Sequence, residues 1–163
     1  MHEEKTGFLG LADGKMPYVI PLNFVWLGGA IYFHGATEGR KVTIIRENPN
    51  GCFTVSANRG TLTSPIPAKT DTAYMSVMIF GEVKLVTNLE EAVSAMQRML
   101  DKYVPGYYDQ PLSSTHLEKY RSSLGSHTAV YKITAQEISA KENPIQLEKL
   151  FYNGKTQHHD QKK

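Results

Sequence analysis

Residues 74–86 constrain the fold more than any other stretch. The run Tyr-Met-Ser-Val-Met-Ile-Phe-Gly-Glu-Val-Lys-Leu-Val is rich in β-branched and aromatic residues and contains no proline, so it reads as one long strand. Gly81, near its centre, marks a bend or bulge of the kind that curves a barrel strand. A strand this long needs partners, and the sequence supplies them. Residues 7–12 form a short apolar run that stops at the turn dipeptide Asp13-Gly14. Residues 17–24 resume in extended form, with Tyr18, Ile20, Leu22 and Phe24 on one face. Pro21 cannot donate to a ladder, which points to an edge, a bulge or a strand facing a ligand. Gly28-Gly29 turns a hairpin into residues 30–34. Residues 52–57 alternate, and 127–139 alternate as a final strand with Ala129, Tyr131 and Ile133 on one face.

Helical signals are fewer. A short helix over 38–46 is stopped by Asn48-Pro49-Asn50-Gly51. Asn88 stands three residues before Glu91, the capping-box spacing. Leu89, Ala92, Val93, Met96, Met99, Leu100 and Tyr103 then follow at three-and-four intervals, one buried stripe that assigns these methionines to the core. Thr115-His-Leu-Glu118 repeats the capping pattern for a short helix carrying Leu117 and Tyr120. Residues 58–72 form a long loop, a sign of mobility or function. Beyond Pro144 the chain turns polar, and 153–163 reads as frayed. Six or so strands with one strong helix describe a mainly β, α+β fold: a small barrel over 1–144 with helices outside it, and a polar tail over 145–163.

Composition removes several functions. A chain of 163 residues with 40% hydrophobic and 21% charged content supports one cored domain. A net charge of +2 is too small to make nucleic acid the main partner. No run of about 18 apolar residues spans a membrane. The first residues, Met-His-Glu-Glu-Lys, lack a signal-peptide pattern. The single Cys52 has no disulfide partner within the chain and is expected to be buried and inert, which fits the cytoplasm.

Several motifs fail. The segment 10–16, Gly-Leu-Ala-Asp-Gly-Lys-Met, is one residue short of a P-loop and lacks its Ser or Thr. No dinucleotide fingerprint opens a helix. His158-His159 lies in the tail, and His116 and His127 have no Cys or carboxylate at metal-ligand spacing. Ser113, Ser114, Ser122 and Ser123 lack a nucleophile-elbow setting. No catalytic nucleophile–base pair emerges, and no metal site. Residues 31–41, Ile-Tyr-Phe-His-Gly-Ala-Thr-Glu-Gly-Arg-Lys, are the exception. They read as a strand entering a helix whose first turn has unpaired N–H groups and partial positive charge. Thr37 is the expected N-cap. Gly39 clears space beside the backbone, and Arg40 and Lys41 supply donors for an oxyanion. A phosphate seat and an ordinary capped helix with a solvated Arg-Lys pair both satisfy these eleven residues.

The blocks 17–24 (Pro-Tyr-Val-Ile-Pro-Leu-Asn-Phe), 30–36 (Ala-Ile-Tyr-Phe-His-Gly-Ala) and 38–41 (Glu-Gly-Arg-Lys) together resemble the flavin-binding split-barrel proteins. Within that group they are most similar to pyridoxamine-phosphate-oxidase-related proteins of the nitroimidazole-resistance type. The strand at 74–83, the helix at 89–103 and a closing strand at 133–141 extend the resemblance over roughly 7–142. It implies a six-stranded split β-barrel with flanking helices, which dimerises and holds flavin mononucleotide (FMN) at the interface. By position, Val19, Pro21, Leu22 and Asn23 lie along the flavin ring and ribityl chain. His34, Gly35 and Ala36 meet the ribityl and phosphate region, Gly39, Arg40 and Lys41 hold the phosphate, and Ser76 approaches from the long strand. His34 also reads as a polar strand residue bonded to backbone. Only six residues precede Gly7, where such proteins usually have a helix, which implies a truncated start or an exposed barrel surface. The tail at 145–163 has no Trp-and-Arg pair of the kind that grips the vitamin phosphate, so vitamin B6 oxidation is not implied.

The resemblance implies a reductase of a small electron-poor acceptor, with nitroaromatics as one class, in which the flavin carries the electron chemistry. Two alternatives stay open: a non-catalytic flavin-binding or stress-response protein, and a haem binder using the same groove with His34 as ligand.

Overall fold

Turn chemistry shapes the first third of the chain. The computed structural model describes residues 1–119 and 128–161. Strands β1 (Thr6–Asp13) and β2 (Met16–Asn23) pair antiparallel around Gly14, whose φ of 59° suits the tight turn. Strands β3 (Val25–Leu27) and β4 (Ala30–Ala36) pair around Gly28 and Gly29, both at positive φ. Helix α1 (Arg40–Glu47) precedes β5 (Asn50–Leu62) and β6 (Asp71–Leu85). Helices α2 (Leu89–Tyr103) and α3 (Ser114–Lys119) come next, then β7 (Thr128–Thr134), β8 (Glu137–Asn143) and α4 (Gln157–Gln161). The hydrogen-bonded order is β2-β1-β5-β6-β7-β4-β3, with β8 paired to β6. The expected mainly β, split-barrel architecture is present, with eight strands among the described residues. β2 ends the order, so Pro21 stands on an edge strand where its missing N–H costs no ladder bond.

Residue contacts divide the chain into two compact units: Met1–Val55 with Met78–Ile138, and Ser56–Val77 with Ser139–Lys163. The first unit has the larger core. Leu9, Phe24, Ile31, Phe33, Phe53 and Ile133 are fully buried there, and the rings of Phe24 and Phe53 meet at 5.1 Å. Helix α2 turns Ala92, Met96 and Met99 inward, as its stripe predicts, and Ala95 with them, while Leu89 at its first turn is exposed. Asn88 caps it, with Oδ1 accepting from the Glu91 amide at 2.8 Å. The carboxylate of Glu91 accepts from the Tyr32 hydroxyl at 2.8 Å and from Lys132 Nζ at 2.7 Å, tying the start of α2 to β4 and β7. That carboxylate and burial together push the Tyr32 hydroxyl up to about 12, with burial the larger cause.

The second unit corrects two expectations. The long loop at 58–72 is shorter than expected: β5 continues to Leu62 and β6 starts at Asp71, leaving 63–70, which contains a 3₁₀ turn at Pro67–Lys69. The expected fraying at 153–163 is not seen through Gln161. Lys155, its side chain 4% exposed, pairs with Asp160 at 3.0 Å, and Asp160 accepts from the Thr63 hydroxyl at 2.7 Å. These buried polar bonds dock α4, and an apolar pattern carries no sign of them.

Two further expectations change, and Gly81 gains a physical cause. The strand at 127–139 is two strands, broken after Thr134. Gly81 answers a close backbone approach, since a Cβ there would meet the Thr134 carbonyl oxygen at 2.3 Å. Cys52 is half-exposed, not buried. His127, Tyr120, Ser122 and Ser123 lie outside the described residues.

Candidate functional site

The site is built where β4 hands over to α1. Strand β4 ends at Ala36, whose carbonyl accepts from the Tyr131 hydroxyl of β7 at 2.9 Å. Three residues later the chain enters α1 through Gly39, at φ 103°. This conformation disfavours any side chain, and it makes Gly39 the N-cap in place of Thr37, with no side-chain cap bond. Gly39 O accepts the first helical bonds from Val42 and Thr43. The amides of Arg40 and Lys41 therefore lie ahead of the helical ladder, in the positive end of the helix.

The two cations have different surroundings. Arg40 is exposed and gives Nε and Nη2 to the Asp13 carboxylate at 3.0 and 2.8 Å, with its guanidinium 5.0 Å from the centre of the Tyr18 ring. It thus fastens the β1–β2 turn to the start of α1. Lys41 is half-buried. Its Nζ lies 5.5 Å from the Phe33 ring centre and 5.3 Å from that of Tyr131, a cation over a stacked aromatic pair. Burial lowers its pKa. Among the described residues no carboxylate pairs with it. The ammonium also lies against Gly35, where an added Cβ would be 2.2 Å from Nζ. Gly35 is therefore small to admit Lys41.

His34, opposite Val130, takes the other face of β4 from the Lys41 rings. It is half-buried on β4, with Nδ1 3.2 Å from Met99 Sδ on α2. Burial lowers its pKa, and the nearby Lys41 charge lowers it further. The result is a helix start with an ammonium that has no carboxylate partner among the described residues, an arrangement that can hold an anion.

Gly35 and Lys41 are in direct contact, the His34 side chain takes the opposite face of β4, and Ala36, Gly39 and Arg40 adjoin the junction in sequence. Val19, Pro21 and Asn23 share the outward, exposed face of β2, while Leu22 takes the opposite face with Tyr18 and Ile20. Ser76 is half-buried on β6 in the second unit. Sequence reasoning missed Phe33, Tyr131, Met99 and Asp13 as neighbours of this cluster. The periodicity of α2 marks Met99 as inward-facing, and nothing local says that β4 lies opposite it.

The sequence matches the pyridoxamine 5'-phosphate oxidase family over residues 1–142. No curated protein matches it at a significant level. Among solved structures it is similar to a flavocytochrome from Azotobacter vinelandii, at 23% identity and TM-score 0.70 over 87% of this chain and 63% of that one. The chain therefore spans less than two thirds of that protein. It is similar to a candidate 5-nitroimidazole antibiotic resistance protein from Bacteroides thetaiotaomicron, at 23% identity and TM-score 0.64 over 85% and 77% of the two chains. The FAD- and haem-binding protein from Mycobacterium smegmatis matches at 16% identity and TM-score 0.69 over 87% and 67%. At these identities the likeness shows a shared fold.

Proposed function

The chain belongs to the pyridoxamine 5'-phosphate oxidase family, and from that premise we propose that it is an FMN-binding flavoprotein reducing small electron-poor compounds, nitroaromatics among them. The observation that carries the reading is Lys41, an ammonium held between two rings with no carboxylate partner among the described residues. Such a cation at a helix start fits the dianionic phosphate of a cofactor. Gly35 leaves the ammonium room and Gly39 opens the helix that carries it, while a role for His34 beside the ribityl chain rests on the resemblance alone. A bound flavin supplies the electron transfer. The protein's part is to orient and anchor it, which agrees with the missing acid–base constellation.

The exposed face of β2 supports the proposed place of the flavin ring and a homodimer around it. Val19, 61% exposed, stands there beside Phe8 of β1, 46% exposed, an apolar surface that a second copy would cover. A reducing cytoplasm suits the lone half-exposed Cys52. Among the described residues no helix is long and apolar enough to cross a membrane.

The test is turnover. Purified protein loaded with FMN should oxidise a reduced nicotinamide repeatedly when a nitroaromatic or quinone is present. Reduction that stops at one equivalent per flavin would make it a binder instead. Haem is the second reading, supported by the His34 Nε2 atom, which has no partner among the described residues. A Soret band in the copurified material, in place of flavin bands, would favour it.

A further inference from the structure

Helix α2 borders a cavity that the proposed cofactor seat does not use. About 690 Å³ in volume, it lies between α2, the connection that follows it and α3. Pockets of ~300–1,000 Å³ take a drug-sized molecule. Met96 and Leu100 of α2, Leu112 of the connection and Leu117 of α3 make the walls apolar, and Tyr108 lines them as well. The connection is fastened: the Leu112 amide donates to Gln97 Oε1 at 2.7 Å, and Gln97 Nε2 donates to Asp101 Oδ1 at 2.8 Å. Two side chains of α2 thus hold that wall in place. Strand β4 separates the cavity from Lys41. Tyr32 and His34 meet α2 from one face of β4, through Glu91 and Met99, whereas Lys41 lies over Phe33 on the other.

The polar groups of the lining select the ligand. His116 and Lys119 stand three residues apart on α3, hence on one side of that helix. Both line the cavity, and neither side chain has a partner among the described residues. Asp109, on the connection, is the one carboxylate among the described lining residues, and it opposes a second negative charge on the ligand. The thioether of Met96 and the ring of Tyr108 favour an aromatic body over an aliphatic one. We propose that this cavity binds an aromatic monocarboxylate, its rings against Met96, Leu100 and Leu117 and its carboxylate on Lys119 and His116. The site is separate from that of the cofactor, and its ligand needs no flavin.

The experiment uses the full chain labelled with methyl-13C methionine and titrated with naphthoate. The Met96 methyl signal, identified by its loss in Met96→Leu, should move saturably under the ring current of the bound ligand. The signals of Met16 on β2 and of Met75 and Met78 on β6 should stay in place. Naphthalenemethanol, the same body without the charge, should bind at least about ten-fold more weakly, the worth of a hydrogen bond to a charged group. Lys119 is exposed, so Lys119→Gln should keep the fold, bring naphthoate down to the level of the alcohol and leave the alcohol itself unchanged. A Met96 signal that does not respond to naphthoate overturns the proposal. So do equal binding of acid and alcohol, and unchanged naphthoate affinity in Lys119→Gln. Tighter binding of naphthylmethylamine than of naphthoate would assign the polar end to Asp109 and overturn it as well. Competition by FMN for the Met96 response would make the cavity part of the cofactor site, with the same consequence.

Discussion

Two residues of β4, His34 and Gly35, each make a prediction of their own at the proposed cofactor site. His34 has a lowered pKa because burial and then Lys41 oppose its charge. The unfolded chain takes up the imidazole proton near the ordinary value of 6.5, while the folded state resists it. The stability due to neutral His34 is therefore complete above 6.5 and is lost as pH falls through the folded value. Urea midpoints should fall more steeply below that pH for wild type than for His34→Gln, and parallel curves would contradict the assignment. At Gly35, an added Cβ collides only with the flexible end of Lys41. Gly35→Ala should therefore cost little stability yet weaken FMN, by displacing the ammonium; thermal melts and flavin titrations measure the two effects separately. The sequence made the junction between β4 and α1 legible, because strand-to-helix junctions have local signatures. It could not separate the two cations. Asp13 lies 27 positions from Arg40 and holds it, whereas Lys41 faces rings from β4 and β7, and such long-range pairings leave no local trace.

At the scale of elements, caps and close approaches carry the testable energies. Asn88→Ala removes the acceptor for the Glu91 amide and should cost about 1 kcal/mol by denaturant melts. Gly81 is a harsher case, since its obstacle is the backbone oxygen of Thr134. Gly81→Ala should cost about 1–3 kcal/mol, and a cost near zero would show that β6 and β7 separate easily there. Helix α2 was the most legible element because cap and stripe agree. The extent of β5 was not, because Asn58, Arg59 and Gly60 read as loop residues while tertiary pairing holds them in a strand. Gly81 was legible as special from its own strand, whereas the close approach of Thr134 that it accommodates depends on a neighbouring strand.

For the whole molecule, the outstanding feature is an apolar surface facing outward. Phe8 and Val19, with Met78 of β6 at 38% exposure on the side away from the core, form the kind of patch that marks an interface. The homodimer proposal predicts twice the monomer mass in sedimentation equilibrium, and Phe8→Asp with Val19→Asp should give monomers that bind FMN more weakly. Family membership was legible in the order and spacing of blocks, whereas the folded segment after Asn143 was not. Its anchor, the Lys155–Asp160–Thr63 set, joins residues 97 positions apart in sequence, and the local composition is that of a tail.

The central claim is that Lys41 grips a flavin phosphate. Fluorescence titration of FMN and riboflavin against wild type and Lys41→Ala tests it most directly. Wild type should prefer FMN, and the substitution should remove most of that preference while leaving riboflavin affinity nearly unchanged, because riboflavin lacks the phosphate that a charge-assisted bond would hold. Equal losses for both ligands, or no preference in wild type, would contradict it.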